Sequence, residues 1–479
     1  MSRGSGPNMQ AVATARAAKP PADALDAVLA SLSARFGDRF TTSAAAREQH
    51  SSTLTWLDRQ PPDAVVFPET TEEVSEIVRL CALHGAPVIP FGAGSSFEGH
   101  VNAPFGGVCV STEQMTDIVA VNVEDLDAIV QPGVTRKALN AHLRDTGLFF
   151  PIDPGADASI GGMVATRASG TNAVRYGTMK DAVLGLTVVL ASGEIARTGG
   201  RARKSSAGYD LTRLIAGSEG TLGIVTEVTL RLHGQPEAVA AGICAFPSVR
   251  AACEATIAAI QSGLPVARIE LLDAAQVAAC NAYSKLSLRE VPTLFVEFHG
   301  SDASVREQSE RFGEIAADVG GGPFDWATRA EDRSRLWQAR HDAMWAAGAL
   351  RPGAKPVPTD VCVPISRLAD CVEETLADIA DSGLQAPIVG HVGDGNFHCL
   401  PLVRTDDPAE VAACRRFVGR LVERALRLGG TTTGEHGVGQ AKMAYLEAEH
   451  GAAAVEAMRA IKRALDPQNI MNPGKIVIP

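Results

Sequence analysis

The pattern of apolar and polar positions divides the chain into a strand-rich first half and a regularly alternating second half. In the first half, apolar residues recur at helical spacing from Val74 to Cys81, directly after the capping box Thr70-Thr-Glu-Glu73. Short β-rich runs are predicted at residues 87–90, 107–111, 128–131 and 186–191. Because long glycine loops separate these strands where regular helices would otherwise occur, the pattern favours an α+β fold over a doubly wound one.

From Ala238 onward, strands and helices alternate as β-α-β-α-β-α, which predicts a compact open-sheet unit. Its predicted strands are 240–246, 266–271 and 293–298, and its predicted helices are 249–262, 274–282 and 303–319. Later predicted elements are helices at 331–347, 365–381, 409–428 and 441–465, a strand at 361–364 and a hairpin within 389–402.

Composition narrows the function classes. The 479 residues contain 44 basic and 55 acidic side chains, so the formal net charge is 44 − 55 = −11. With no Lys/Arg block and no run of 18 apolar residues, we expect neither nucleic-acid binding nor a transmembrane segment. Nine scattered cysteines without a C-x-x-C pair argue against a disulfide framework, a zinc ribbon or an iron–sulfur cluster, and indicate a reducing compartment.

Proline and glycine clusters at Pro20-Pro21, Pro61-Pro62 and Gly234-Gln-Pro236 mark the predicted domain boundaries. The first of these limits a predicted flexible tail over residues 1–22, and a helical arm is predicted over 23–60. The tail contains basic but no acidic residues and lacks the apolar run of a secretory signal. A frayed bacterial tail is the favoured interpretation, and a mitochondrial presequence is the alternative.

Three loops of small residues point to one large ligand. They span Pro90–Gly99, Asp153–Gly162 with its continuation to residue 177, and Ala216–Ile224. The first loop alone is neither G-x-G-x-x-G nor a Walker motif, and a plain turn would explain it. Three such loops in a strand-rich region are harder to explain by packing, since glycine there is costly unless a backbone must approach something closely. Ser218 lacks the strand-turn-helix context of a nucleophile elbow.

These loops, in this order and spacing, resemble the FAD domain of vanillyl-alcohol-oxidase-type enzymes. Over residues 63–479 the chain resembles the cytochrome-linked D-lactate dehydrogenases and, more distantly, the FAD subunit of glycolate oxidase and D-2-hydroxyglutarate dehydrogenase. The motifs that carry this resemblance are Pro151–Ser159, Gly170–Met179, Thr359–Ile365, Gly390–His398, Gly434-Glu-His-Gly437 and Met471–Lys475.

The resemblance implies an α+β fold with a two-part FAD-binding domain over 61–236 and an α+β cap, or substrate, domain over 237–430 with an antiparallel sheet. The segment 431–479 would return to the flavin and carry the Glu-His motif. Covalent relatives have a histidine in the first loop where Ser95 and Ser96 stand here, so non-covalent FAD is implied. The implied FAD contacts are Pro90, Gly92, Ala93, Gly94, Ser95, Ser96, Gly99, Pro154, Gly155, Ala156, Ser159, Gly162, Ala168, Ser169, Gly170, Tyr176, Gly177, Glu219, Gly220, Gly223, Ile224 and Asn472.

A second candidate site surrounds Asp394-Gly395, which predicts a two-residue hairpin that pairs His391 with His398. Rings about 5 Å apart at Cβ on one sheet face could share a divalent ion. From spacing alone, solvated or hydrogen-bonded core histidines are the favoured explanation of the pair, and a metal site would need a third ligand. Glu435, flanked by glycine, is the best-placed candidate.

In the related 2-hydroxy-acid dehydrogenases, residues matching His391, His398 and Glu435 bind one divalent metal, here Zn, Mn or Fe. The residue matching His436 acts as base, and the one matching Arg340 holds the substrate carboxylate; an exposed helix arginine is the alternative for Arg340. The expected mechanism is metal activation of the substrate hydroxyl, proton transfer to His436 and hydride transfer from C2 to flavin N5.

The expected activity is therefore FAD- and metal-dependent oxidation of D-lactate, or a similar D-2-hydroxy acid, with electrons passed to a cytochrome or a quinone-type acceptor. In the related D-2-hydroxyglutarate dehydrogenases, polar side chains at the positions matching Met344 and Leu400 contact the distal carboxylate. The apolar residues here therefore imply a preference for monocarboxylates, unless both are remote core residues. Tyr176 and Trp326 either line the site or pack in the core. The alternative function is the FAD subunit of a multi-subunit glycolate oxidase that is inactive alone; a metallopeptidase lacks its H-E-x-x-H motif. We expect a cytoplasmic protein, peripheral at the inner membrane or mitochondrial in a eukaryote, with a homodimer as one option.

Overall fold

The structure, a computed structural model, describes residues 21–52, 54, 56–327 and 329–479. The chain divides into two compact units. The first unit comprises the described part of Met1–Ser169, together with Gly177–Gln235 and Glu435–Pro479. The second comprises Gly170–Tyr176 and Pro236–Gly434. Residues 1–20 of the predicted tail lie outside the described residues.

Secondary structure up to residue 235 consists of short strands and mostly short helices. The helices are α1 (Ala22–Phe36), α2 (Ala44–Gln49), α3 (Thr71–His84), α4 (Arg136–His142), α5 (Ile160–Thr166), α6 (Ala173–Tyr176), α7 (Met179–Ala182) and α8 (Leu211–Ile215). The strands are β1 (Phe40–Thr41), β2 (Ala64–Val66), β3 (Val88–Phe91), β4 (Val108–Ser111), β5 (Ile118–Asn122), β6 (Asp127–Val130), β7 (Leu148–Phe149), β8 (Val183–Val189), β9 (Ile195–Gly199), β10 (Ile224–Arg231) and β11 (His233–Gly234).

After residue 235 the helices are longer. They are α9 (Val249–Gln261), α10 (Ala274–Ser284), α11 (Asp302–Asp318), α12 (Ala330–His341), α13 (Ala343–Ala349), α14 (Leu368–Ser382), α15 (Pro408–Arg427), α16 (Leu446–His450) and α17 (Ala452–Leu465). The strands are β12 (Ala238–Ala245), β13 (Val266–Leu272), β14 (Thr293–Gly300), β15 (Phe324–Ala327), β16 (Lys355–Pro356), β17 (Val361–Cys362), β18 (Ile388–Gly390), β19 (Asn396–Cys399) and β20 (Leu402–Val403).

The first unit contains two main sheets. One has the order β1-β2-β4-β3, in which β4 runs parallel to β2 and β3, and the other is antiparallel with the order β5-β6-β10-β8-β9. Helix α3 begins where the capping box predicts, because the Thr70 hydroxyl accepts a hydrogen bond from the Glu73 N–H at 3.2 Å. The Glu73 carboxylate, however, accepts from the Glu69 N–H at 2.8 Å, one residue earlier than the box requires.

The second unit is built on an antiparallel seven-stranded sheet with the order β15-β12-β14-β13-β18-β19-β17. Side chains alternate between its two faces. On one face, Leu272, Phe295 and Val389 pack in a core with apolar residues of α10, α12 and α13. On the other, Phe298 contacts Phe312 of α11. The first face also bears the polar residues described below.

The short segment Gly170–Tyr176 belongs to the second unit, although it lies in sequence between two parts of the first. Arg268 of β13 donates to the Asn172 side chain at 2.9 Å, and Arg175 donates to the carbonyl oxygen of Pro265 at 2.7 Å. These bonds join residues about 90 positions apart, so no local pattern in the sequence could indicate them.

Two predicted helices are wrong in length. The helix predicted over 331–347 is interrupted at Asp342, which lies between α12 and α13. The helix predicted over 441–465 begins only at Leu446 and is broken at Gly451, whose φ of 78° is incompatible with a continuous helix. Among the described residues, none of the helices combines the length and apolar character needed to cross a bilayer.

Candidate functional site

The three small-residue loops meet in the first unit. A Cβ atom added to Gly92 would overlap with the Ser159 hydroxyl of the second loop. A Cβ on Gly220, where φ is +73°, would lie 2.6 Å from Cγ of Pro90. Larger side chains would therefore separate the loops, which explains the requirement for glycine at these two positions.

Ser159 carries a polar atom that the protein leaves unsatisfied. It occupies the N-cap position of α5 without making a side-chain cap bond, and its side chain is buried. Its hydroxyl has no hydrogen-bond partner among the described residues. Because a buried hydroxyl without a partner costs about 1–3 kcal/mol, an oxygen acceptor between these loops would relieve that cost. The residues present therefore fit a phosphate-containing cofactor such as FAD.

Apart from Asn472 in the C-terminal segment, the other predicted FAD contacts occupy the same loops, and two of these contacts fall outside the first unit. Gly170 and Tyr176 belong to the second unit. In the first unit, Pro90 is in β3, Ile224 begins β10 and Gly162 lies in α5, while the loops contain Ala93, Gly94, Ser95, Ser96, Gly99, Pro154, Gly155, Ala156, Ala168, Ser169, Gly177 and Gly223.

The C-terminal segment is attached to these loops by two predicted residues. The Glu219 carboxylate accepts hydrogen bonds from the N–H groups of Val438 at 2.6 Å and Gly439 at 2.8 Å. The Asn472 amide donates to the carbonyl oxygens of Glu219 at 2.7 Å and His100 at 3.0 Å. Residues 435–479 are thereby held against the first and third loops.

His436 lies beside a buried carboxylate that the sequence analysis missed. Its Nδ1 is 3.6 Å from a Glu98 carboxylate oxygen, and the Phe97 ring lies 4.9 Å from its own ring. Lys442 Nζ is 3.4 Å from the same Glu98 oxygen. Burial opposes ionisation of Glu98, but Lys442 and His436 outweigh it and hold the pKa of this carboxyl below its usual value. The sequence did contain a signal for this residue, because Glu98 is an acidic residue within the first loop of small residues.

In the second unit, the structure brings His391 and His398 together, but not by the predicted pairing. His398 of β19 is opposite Val389 of β18, and a 3₁₀ turn at Val392–Asp394 makes the loop longer than two residues. Gly395, at φ 78°, closes that turn. Because His391 continues the alternation of Val389, the two rings still approach, with centroids 5.4 Å apart and planes at 83°. A ligand nitrogen of each ring lies within 4.8 Å of one on the other.

Both histidines bind an acceptor through Nδ1. His391 Nδ1 is 2.7 Å from a Glu270 carboxylate oxygen, and His398 Nδ1 is 2.8 Å from the carbonyl oxygen of Thr359. An Nδ1–H that donates to these oxygens fixes the tautomer whose lone pair is on Nε2, which is the usual arrangement of metal-binding histidines. The donor set of the second unit therefore fits a divalent ion.

Glu435 belongs to the first unit, where its carboxylate accepts a hydrogen bond from the Ser169 hydroxyl at 2.6 Å. It directly follows Gly434, the last residue of the second unit. That preceding segment is fixed within the second unit, since Thr433 donates to Asp360 at 2.7 Å and a Cβ on Gly434 would overlap with the Asn396 amide.

Arg340 is not an exposed helix arginine. It is 8 % exposed, its Nε donates to a Glu270 oxygen at 2.8 Å, and its Nη2 forms an ion pair with the same oxygen at 2.5 Å. Burial opposes ionisation of Glu270, but His391 and Arg340 hold the pKa of its carboxyl below the usual value. Glu270 was not among the predicted site residues, although a carboxylate within the apolar strand 266–272 is itself a signal.

A second polar chain on the same sheet face includes Tyr176. The Tyr176 hydroxyl is 2.7 Å from His299 Nδ1, and His299 Nε2 is 2.8 Å from a Glu297 oxygen. The other Glu297 oxygen accepts from the Trp337 indole at 2.5 Å. Because Glu297 is opposite Arg268 across β13 and β14, it shares a face with Glu270.

The remaining predicted residues fall into two groups. Trp326 stacks on Phe324 with centroids 4.5 Å apart and is opposite Gly242, on the sheet face away from Glu297, so packing explains it. Leu400 is buried in the apolar core with Leu272 and Val389, on the His398 side of the sheet. Met344 is half-buried in α13.

Family models match most of the chain. Residues 62–199 match the FAD binding domain, and residues 235–476 match the C-terminal domain of FAD linked oxidases.

Several curated proteins are similar over nearly the whole chain. The probable mitochondrial D-lactate dehydrogenase of Danio rerio is 52 % identical, covering 95 % of this chain and 92 % of that protein. The mitochondrial D-lactate dehydrogenase [cytochrome] of Arabidopsis thaliana is 47 % identical, covering 87 % and 74 %. The glycolate oxidase subunit GlcD of Bacillus subtilis is 35 % identical, covering 92 % and 94 %.

Solved structures show the fold. p-Cresol methylhydroxylase with substrate bound superposes with a TM-score of 0.82 at 18 % identity, covering 96 % of this chain and 98 % of that one. The 4-ethylphenol oxidase of Gulosibacter chungangensis gives 0.79 at 21 % identity, again covering 96 % and 98 %. The predicted α+β fold of the vanillyl-alcohol-oxidase type is confirmed. From the matched domains and the extent of these identities, the chain belongs to the FAD-linked oxidoreductases, in the family of the cytochrome-linked D-lactate dehydrogenases.

Proposed function

We propose that this protein oxidises D-lactate, or a D-2-hydroxy acid of similar size, to the corresponding 2-oxo acid with FAD as the electron acceptor. The observation that carries the proposal is the pair His391 and His398, each with Nδ1 bound to an acceptor, beside the buried Arg340. A 2-hydroxy acid presents a hydroxyl and a carboxylate on adjacent carbons, and this set offers partners to both. The names of the Danio and Arabidopsis relatives support D-lactate as the substrate.

The residues proposed to hold FAD are those of the three loops in the first unit. Ser159 would donate its buried hydroxyl to the cofactor, and the glycines allow the backbone to approach a pyrophosphate. Because Ser95 and Ser96 stand where covalent relatives carry histidine, we propose that FAD is bound without a covalent link.

The residues proposed to hold a divalent ion, which would be Zn, Mn or Fe, are His391, His398 and Glu435. Two imidazoles and one carboxylate leave coordination positions for a substrate, whereas a closed structural site would not. When bound, the ion would supply Lewis-acid activation of the substrate hydroxyl, and FAD would take up the two electrons.

Two further side chains complete the proposed mechanism. Arg340 would bind the substrate carboxylate through the part of its guanidinium that does not face Glu270, which orients C2 of the substrate. His436 would accept the proton of the substrate hydroxyl, and the nearby Glu98 carboxylate would stabilise the positive charge that the imidazole then carries.

The electron acceptor is proposed to be a cytochrome or a quinone-type molecule. The word cytochrome in the name of the Arabidopsis relative supports the first of these. For location we propose the cytoplasm, with a peripheral position at the inner membrane, or the mitochondrion if the source is eukaryotic. A second candidate is the FAD subunit of a multi-subunit glycolate oxidase, because the Bacillus relative carries that name.

An anaerobic flavin-reduction experiment tests the proposal. The purified yellow protein is mixed with D-lactate, L-lactate, glycolate or D-2-hydroxyglutarate, and flavin absorbance is followed by stopped flow. We expect D-lactate to bleach the flavin in the chain alone. A flavin that stays oxidised with D-lactate would contradict the proposal, and reduction by glycolate only after partner subunits are added would favour the second candidate.

A further inference from the structure

The strand β13 carries a carboxylate in the interior of the second unit. Glu270 is opposite Phe295 of β14, and its side chain is fully buried at 0 % exposure. Two positions on, Leu272 is opposite Val389 of β18, which is itself opposite His398 of β19. Since side chains alternate along each strand, Glu270 points to the sheet face that carries His398.

The two oxygens of Glu270 bind different partners. One oxygen accepts a hydrogen bond from Arg340 Nε at 2.8 Å and forms an ion pair with Arg340 Nη2 at 2.5 Å. The other lies 2.7 Å from His391 Nδ1. These partners come from distant parts of the chain, since Arg340 ends helix α12 and His391 follows β18. A single buried carboxylate therefore joins the proposed carboxylate-binding residue to a proposed metal ligand.

Electrostatics alone does not explain this arrangement. A fully buried carboxylate is costly unless it is paired, and the ion pair with Arg340 would already provide the pairing. The contact to His391 adds a directional constraint, because it keeps a proton on Nδ1 and turns Nε2 outward. Groups behind a metal-binding histidine commonly change metal affinity by about 10- to 100-fold.

We propose that Glu270 is a positioning residue that orients His391 and Arg340 together, so that divalent-ion affinity and recognition of the substrate carboxylate depend on one side chain. This inference rests on the proposed function. Its consequence is that loss of the Glu270 charge weakens both properties at once, although Glu270 contacts neither ion nor substrate. A residue that merely stabilised the sheet would change thermal stability and leave these two affinities alone.

The test uses the flavin-loaded full chain with the substitution Glu270→Gln. Chelator-stripped protein is dialysed against buffered Zn²⁺ or Mn²⁺, and bound metal is measured by elemental analysis, so one readout is independent of turnover. We expect the dissociation constant for the ion to rise about 10- to 100-fold and KM for D-lactate to rise together with it. At saturating metal in an Arg340→Ala background, Glu270→Gln should raise KM no further, because the contribution that Glu270 makes through Arg340 is already lost.

Glu297→Gln is the matched control. Glu297 is also a buried carboxylate on this face and also binds a histidine and an arginine, but these are His299 and Arg268. Its substitution should leave metal affinity unchanged. Equal metal affinity in wild type and Glu270→Gln, or equal losses in Glu270→Gln and Glu297→Gln, would overturn the inference.

Glu270→Asp covers the case in which Glu270→Gln does not retain flavin. It keeps the charge but withdraws the carboxylate by one methylene, so it cannot reach both partners. We expect it to lose metal affinity, and wild-type affinity would overturn the inference. A wild-type protein that takes up no metal would refute the proposed metal site itself and this inference with it, whereas normal wild-type uptake with unchanged variants refutes only the inference.

Discussion

The imidazole of His391 stands at 83° to that of His398 with ring centroids 5.4 Å apart, although the two residues are not opposite each other in the hairpin. We expect His391→Ala to remove bound metal and reduce turnover by more than 100-fold, since one imidazole cannot hold the ion. Flavin should remain, because the three loops belong to the other unit. Elemental analysis and the visible spectrum of the purified variant measure both.

His299→Ala is the control for His391→Ala. His299 is a buried histidine of the same sheet face whose partner is also a carboxylate, and it should leave metal content unchanged. Glu435→Ala should behave as His391→Ala does. Full metal content in both of these substitutions would refute the proposed ligand set.

The substitution Ser159→Ala should stabilise the flavin-free protein but weaken its binding of FAD. Its buried hydroxyl has no partner among the described residues, so Ser159→Ala should raise the melting temperature of the flavin-free protein. The same change should raise the dissociation constant for FAD about tenfold, because a hydrogen bond to a charged oxygen is worth about 1.5–3 kcal/mol. Fluorescence titration of apoprotein with FAD measures the affinity, and calorimetry measures the melting temperature.

The control for Ser159→Ala is Thr256→Ala, which removes a buried hydroxyl bonded at 3.0 Å to the carbonyl oxygen of Ala252 in its own helix. It should lower the melting temperature and leave FAD affinity unchanged. If Ser159→Ala leaves FAD affinity unchanged as well, its hydroxyl does not contact the cofactor.

The link between protein and flavin is also testable. Ser95 and Ser96 of the first loop cannot form the histidyl bond of covalent relatives, so the flavin should dissociate on denaturation. After acid precipitation, we expect all yellow colour in the supernatant and none in the pellet. Colour retained in the washed pellet would show a covalent link.

Asp273 should make stability depend on pH. Burial raises the pKa of this carboxyl from 3.8 to about 6, although the Gln276 N–H opposes the shift by donating to it. Between these pKa values the folded state binds more protons than the unfolded state, so stability falls as pH rises through this window. Asp273→Asn keeps the N-cap oxygen and removes the ionisation. It should therefore be more stable at pH 8, by about 2–3 kcal/mol, and this gain should shrink at pH 5.

Asp210→Asn is the comparison for Asp273→Asn. Asp210 also caps a helix, at the start of α8, but it is exposed and its pKa is lowered by hydrogen bonds from the Arg213 backbone and side chain. Its substitution should not raise the melting temperature at pH 8. Denaturation curves at the two pH values decide the matter, and an equal gain at both would contradict a raised pKa for Asp273.

Local patterns predicted most elements of the fold. The strand and helix order after residue 238 is visible in the sequence, since each element carries its own periodicity and turn residues. Interruptions were harder to predict, because the break at Asp342 has no glycine or proline to mark it. Gly451 was present as a signal, but apolar residues on both sides continued the helical pattern across it.

The part of the candidate site whose residues lie close together in the sequence was predictable. His391 and His398 lie seven residues apart in one hairpin, whereas the buried carboxylates behind the site residues come from remote strands. Glu270 reaches His391 and Arg340 from a remote strand, and Glu297 meets Arg268 through the register of β13 and β14, which the sequence does not specify. Both nevertheless interrupt apolar strands, and a charge inside such a strand indicates a buried partner.

Substrate size should follow from the apolar surroundings of His398. Leu400 is buried with Leu272 and Val389 on the same side of the sheet as His398. Met344 is half-buried in helix α13. A distal carboxylate placed among such side chains would lack donors, which costs several kcal/mol, while a methyl group is accepted. We therefore expect kcat/KM for D-lactate to exceed that for D-2-hydroxyglutarate by at least about 100-fold.

Met344→Thr separates a pocket role from a core role. A hydroxyl at this position supplies a donor, so the substitution should shift the kcat/KM ratio toward D-2-hydroxyglutarate, whereas Met458→Thr in α17 of the first unit should leave the ratio unchanged. If both variants keep the wild-type ratio, Met344 is a packing residue and does not select the substrate. A wild-type ratio near or below one would mean that another side chain supplies the donor to the distal carboxylate, and that the apolar surroundings of Leu400 belong to the core alone.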